Sequence, residues 1–177
     1  NQINQSASLL LTSIEKAEEM GVDPNRWVFL HGASDVTDVW NVSYRENFYS
    51  SPSMKIMGEN ALNMAGLEIN DIRHLDLYSC FPSAVQIARN ELGIPKDDQR
   101  HLTVTGGLPF HGGAGNNYVM NSIAAMADKL RSDRGSFGMV TANGGYISKH
   151  AAGIYSTKPL ESDWNRDTSP VIELTTA

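Results

Sequence analysis

Residues 105–117, TGGLPFHGGAGNN, set one histidine, His111, among five glycines and one proline. Histidine can trade a proton near neutral pH or donate a hydrogen bond to an oxygen that is gaining negative charge. Glycines on both sides of it let the backbone turn sharply and approach a ligand closely. The apolar run at 118–130 reads as a helix. Its first N–H groups would point back at the loop and favour an anion or a polarised carbonyl. The same residues also fit a Gly-rich turn with an ordinary surface histidine, since short motifs recur without function.

Two other loops fall at expected strand ends and carry polar groups: 78–82, YSCFP, and 141–146, TANGGY. Asn143 could donate a hydrogen bond to a carbonyl, or Asn143 and Gly144 could simply form the hairpin turn that Asn-Gly favours. Cys80 fits a buried small apolar residue better than a reactive thiol. His31 and Asp35, in HGASD, could be an acid–base pair, but a structural pair at a strand end is the simpler reading. His150 is expected to face solvent, Asp76 to reflect strand alternation, and Trp27, Trp40 and Trp164 to pack.

The positioning elements follow from periodicity and punctuation. Residues 6–13, SASLLLTS, read as a short buried strand, followed by a helix at 14–20 that Gly21 stops. Residues 27–31 and 74–78 read as strands, and 101–104 as a short β-type run. Residues 38–49 are rich in aromatics and have no clean period, which suggests an irregular substrate or interface loop. Ser51-Pro52 starts a helix whose apolar face is Met54, Met57, Ala61, Leu62 and Ala65. Residues 81–92 read as a further helix. Strands at 137–141 and 146–157 flank the Asn-Gly turn. The alternation implies a layered α-β-α fold. Its sheet would be mixed, five-stranded and mostly parallel, with a terminal antiparallel hairpin strand. Ligands in such sheets gather at the carboxyl ends of strands.

Length and composition suit one domain with a sizeable core. A net charge of −6 argues against bulk nucleic-acid binding. No apolar run reaches the length of a membrane span. The one cysteine permits no internal disulfide, and a cytoplasmic setting is the default expectation. The chain opens at Asn1 within structured-looking sequence and closes on a β-type run at 171–176, so it reads as a piece of a larger protein.

The chain resembles the C-terminal half of the thiolase superfamily, in the branch of acetyl-CoA acetyltransferases and thiolase-like proteins. Four stretches carry the likeness in order: NQSASLLLTSIEKAEEMG, MAGLEINDIRHLDLYSCF, TGGLPFHGGAG and VTANGGY. The second resembles the lead into the family's NEAF or HDCF loop. The third resembles its GHP loop, shortened by two residues before the histidine. The fourth stands where thiolases carry CxGGG. The likeness spans 1–158, with 159–177 expected to be a linker and the truncated start of a further domain.

The resemblance implies roles one residue at a time. His111 matches the GHP histidine, which helps activate the nucleophilic cysteine and lines the oxyanion site. Tyr78 matches the Asn or His that positions a catalytic water, and tyrosine there is a departure. Cys80 matches the cysteine of HDCF. The acid–base cysteine of CxGGG is replaced by Thr141, Ala142 or Asn143. The expected catalytic set is His111, Asn143 and Tyr78, with Phe81, Phe110, Gly112, Gly113 and Gly144 binding substrate and no metal. The implied activity is thioester acyl transfer, or carbon–carbon condensation or cleavage, on an acyl-CoA. Coenzyme A thioester would be the substrate, and no cofactor would be covalently bound. The primary nucleophile would sit in an N-terminal half, so the fragment alone is expected to be inactive and to self-associate. The alternative is a non-catalytic acyl-CoA or lipid-binding scaffold of the same fold.

Overall fold

The computed structural model describes residues 3–161. Four strands form one sheet in the order β1-β4-β3-β2: β1 Phe29–Thr37, β2 Ile72–Asp76, β3 Phe137–Gly144 and β4 Lys149–Ser156. The helices are α1 Ile14–Glu19, α2 Pro52–Ala65, α3 Pro82–Glu91, the single turn α4 Leu108–His111, and α5 Tyr118–Ser132. Helices α2 and α5 cover opposite faces of the sheet, which gives the expected α-β-α layering. On one face, α2 approaches β1 so closely that a Cβ on Gly32 would lie 2.2 Å from the carbonyl oxygen of Ala61. On the other, a Cβ on Gly138 would strike the Met126 sulfur of α5.

Local chemistry sets the helix limits. Ser51 caps α2 by accepting from the Met54 N–H, Pro52 occupies its first turn, and Gly66 ends it with a left-handed φ of 65°. Met54, Met57, Ala61 and Leu62 are buried, so the apolar face read from the sequence is the face that packs. They join Ile72, Leu75, Met139 and Ile154 in the main core. A smaller cluster of Met126, Leu130 and Val140 lies under α5.

The sheet differs from expectation in two ways. It has four strands, and only β2–β3 is parallel, while β1–β4 and β4–β3 are antiparallel. The missing strand is 6–13, which pairs with no described segment and leaves Leu10 and Leu11 72% and 83% exposed. An apolar run makes a strand only where a sheet edge is there to pair with it. This N-terminal segment instead reaches the central loop: the Gln5 side-chain amide donates to the His111 carbonyl at 2.9 Å. Residues 101–104 also form no strand. Beside the edge strand β2 they make only a single ladder-like bond, the Leu102 carbonyl accepting from the Leu77 N–H at 2.8 Å. The strand read at 27–31 continues to Thr37, because residues 32–37 all pair with β4. Asn143 and Gly144 belong to β3, and the turn itself lies beyond them, before β4 starts at Lys149. Of the linker and truncated strand expected at 159–177, residues 162–177, Trp164 among them, lie outside the described residues.

Candidate active site

The three loops singled out in the sequence meet at one end of the sheet. Tyr78, just past β2, stacks edge-on against Tyr118 with ring centroids 5.5 Å apart. His111, at the end of α4, meets the same Tyr118 ring at 5.7 Å. One fully buried aromatic thus holds two of the expected catalytic side chains. The third, Asn143, turns its side-chain N–H toward Cys80 Sγ at 3.9 Å. The backbone N–H of Tyr78 donates to Thr141 Oγ1 at 2.9 Å, which fastens the first loop to β3.

Beneath these groups lies a polar frame. Asp76 is completely buried, and its Oδ2 accepts from the Val104 N–H, the Thr105 N–H and Thr105 Oγ1, at 2.9, 2.9 and 3.0 Å. Thr105 Oγ1 lies 2.8 Å from the Tyr118 hydroxyl. Ser79 Oγ accepts from the Leu108 N–H at 2.7 Å and fixes the start of α4. Gly107 allows this turn: its φ of 91° is a conformation side-chain-bearing residues rarely adopt. His111 Nε2 is buried and has no hydrogen-bond partner among the described residues. A nitrogen kept out of bulk water and unspent on the protein can meet an oxyanion or accept a proton.

Burial pushes the Tyr78 phenol above its ordinary value, and the neighbouring Cys80 and Tyr118 push in the same direction. Burial also raises the Cys80 thiol, against a smaller pull from backbone N–H groups at Phe81 and at Cys80 itself. A raised thiol is a poorer nucleophile, in keeping with a structural role for Cys80. No group of His, Cys, Asp and Glu among the described residues could hold a metal ion.

The expected substrate residues divide. Gly112 and Gly113 follow His111, and Gly144 ends β3 beside Asn143, where an open groove of about 380 Å³ runs past Thr37, Asn143, Gly144 and Lys149. Phe81 and Phe110 stand 68% and 85% exposed at the rim.

Several sequence readings change. His150, expected to face solvent, is 3% exposed and meets Ser51 Oγ at 3.3 Å. The strand's inward positions fall on Val36, His150 and Asn143, so α2 covers the imidazole. Asp76 is more than an alternating strand residue, because the turn at 104–105 needs an acceptor. Trp40, expected to pack, is 65% exposed with Lys149 Nζ 4.7 Å from its ring. His31 bonds the Lys158 carbonyl at 2.8 Å, a structural role. Tyr118 and Thr105 were missed, and Thr141 was weighed only as a stand-in for the CxGGG cysteine. Tyr118 had a signal, the one aromatic ring of α5, placed on its first residue. Thr105 had none beyond its place at a loop edge.

The crystal structure of a monomeric SCP2-thiolase like protein type 1 from Mycobacterium smegmatis superposes on this chain with a TM-score of 0.87 and 40% identity over 93% of it. The fold is thiolase-like. The chain spans 37% of the length of that relative. No family model matches the chain, and no curated protein is similar enough to count as a match. The resemblance read from the four sequence stretches is therefore borne out at the level of the fold. Among the described residues, no helix is long and apolar enough to cross a membrane.

Proposed function

We propose that this thiolase-like chain is the C-terminal catalytic half of an acyl-CoA acyltransferase of the thiolase type. The observation that carries the reading is the unspent, buried Nε2 of His111, held by Tyr118 beside Tyr78. In this reading a cysteine thiolate from the N-terminal half attacks the thioester carbon of an acyl-CoA. The carbonyl π electrons move onto oxygen, and His111 Nε2–H stabilises the oxyanion. Collapse of that intermediate breaks the carbon–sulfur bond and releases coenzyme A as a thiolate, which takes up a proton. Asn143 supplies a second N–H near the carbonyl. Residues 141–143 offer no thiolate for abstracting a proton from carbon, so acyl transfer fits the residues better than condensation.

The decisive experiment compares the polypeptide carrying both halves with its His111→Ala variant, assayed for release of coenzyme A from acetyl-CoA. Loss of an oxyanion or acid–base group should lower turnover by about 10²-fold or more. Unchanged turnover in a folded variant would reduce His111 to a loop residue. The chain of residues 1–177 alone should show no turnover.

A second reading, a non-catalytic acyl-CoA or lipid-binding scaffold, is favoured by one feature: Tyr78 and the run Thr141–Ala142–Asn143 stand where the family places its polar catalytic groups. Saturable acyl-CoA binding by both halves together, without release of coenzyme A, would select it.

A further inference from the structure

Two buried polar atoms near the tip of the sheet have no partner among the described residues, Asn143 Oδ1 and His150 Nδ1. Asn143 and His150 face each other in the β3–β4 register, so their side chains leave the same face of the sheet as neighbours. Both line one small, partly open cavity of about 10 Å³, which they share with Thr141, Tyr78 and the apolar side chains of Met54 and Met57, among others. That volume is about what a single water centre requires, and water needs two to four polar partners to be held there.

The donors and acceptors around the cavity select its occupant. Ser51 Oγ and Ser53 Oγ both donate to Asp38 Oδ2. Their protons are thereby spent, so His150 Nε2 must carry the imidazole proton to bond Ser51 Oγ at 3.3 Å. His150 Nδ1 is then an acceptor. Asn143 Oδ1 is an acceptor as well, and two acceptors cannot satisfy each other. Thr141 Oγ1 accepts from the Tyr78 N–H and still has its own hydroxyl proton to give. The matching occupant has two protons to donate and one lone pair to receive.

We infer that Asn143 Oδ1, His150 Nδ1 and Thr141 Oγ1 hold one internal water, and that through it His150 is a positioning residue for the Asn143 amide. The water donates to Asn143 and His150 and accepts from Thr141. With its oxygen tied inward, the amide keeps its N–H group directed at Cys80 and the candidate site. Burial holds the His150 imidazole down to about 4, so at neutral pH it keeps the lone pair this arrangement needs. The water site stands independently of the acyl-transfer reading, while its value for positioning rests on it.

A high-resolution crystal structure of the 177-residue chain tests the site without any activity assay. One oxygen peak at about 2.7–3.2 Å from all three atoms is expected. A dry cavity, or a direct bond from a reversed Asn143 amide to His150, would overturn it. The positioning role is read by NMR on the ¹⁵N-labelled chain. His150→Phe keeps a ring and removes the nitrogen, and exchange of the Asn143 side-chain amide protons with solvent should rise about tenfold. Unchanged exchange in the folded variant would overturn that role. If His150→Phe fails to fold, a long-lived water-to-Asn143 amide NOE in the unsubstituted chain decides instead, and its absence counts against the proposal. None of these readouts changes if acyl transfer itself proves wrong.

Discussion

The Tyr118 hydroxyl lies 2.8 Å from Thr105 Oγ1, and that one contact couples the helix behind the central loop to the carboxyl group beneath it. Tyr118 is 1% exposed, and its ring meets both Tyr78 and His111. Position and chemistry are therefore separable at this residue. The ring places the two candidate groups, and the hydroxyl ties the ring to the frame.

Tyr118→Phe should keep the placement and lose the tie. The expected cost is about 1 kcal/mol, the net value of a typical hydrogen bond. Tyr118→Ala removes the ring as well and should cost about 3–5 kcal/mol, since a buried aromatic leaves a cavity. Urea denaturation of both variants measures the difference. Equal losses would mean that the ring contacts contribute little.

Asp76 is the acceptor on which the 104–105 turn depends. Asp76→Leu strips two backbone N–H groups of their partner inside the protein, at about 1–3 kcal/mol each. Asp76→Asn should be milder, because the amide oxygen can take the place of Oδ2. Hydrogen exchange at Val104 and Thr105 should accelerate in the leucine variant well before distant amides respond. Uniform acceleration across the chain would instead indicate global destabilisation only.

Acid should weaken the fold through His150. Burial is the main cause of its fall from 6.5 to about 4, opposed by the negative charge of Asp38 and by the Ile147 carbonyl, and assisted by Arg45. Between those values the unfolded chain binds a proton that the folded chain refuses. The stability from neutral His150 is thus fully present above pH ~6.5, declines as pH falls, and is gone below about 4. The swing is at most ~3 kcal/mol. Asp38, Asp98 and Asp133, all with lowered values, lose their contributions at more acidic pH. Urea midpoints at pH 7 and pH ~4.5 should therefore differ in the unsubstituted chain and differ much less in His150→Gln.

The sequence disclosed local rules more readily than pairing. The limits of α2 were legible because Ser51, Pro52 and Gly66 act within one turn of themselves. The three site loops were legible because each combines glycine or proline with a chemistry-bearing side chain. Residues 6–13 were misread because apolar composition says that a segment wants cover, not which edge supplies it. Asp76 and His150 were misread for a related reason. Their roles depend on residues 28 and 99 positions away, and no periodicity reports such separations.

Helix α5 has one buried face and one partly exposed apolar face. Tyr118, Ser122, Met126 and Leu130, one residue per turn, form its buried stripe. Met120 stands 37% exposed on another face, with Ala124 and Ala127 half-buried beside it. The aromatic residues at 38–49 do not cover this face: Trp40, Tyr44 and Phe48 are 65%, 78% and 68% exposed themselves. Small and apolar side chains on an exposed helix face let a second helix approach closely, and unpaired apolar patches favour association. Two copies of the chain should therefore pair at ~100 µM through this face, with two-fold symmetry. The mycobacterial relative is monomeric, and this chain spans 37% of its length, so the expectation concerns this chain by itself. Light scattering should report a dimer, and Ala124→Arg should convert it to a monomer with unchanged urea stability. The position is half-exposed, so an arginine there can reach solvent. A monomer at that concentration, or a dimer indifferent to Ala124→Arg, would remove α5 from the contact and leave the exposed aromatics at 40–49 as the next surface to mutate.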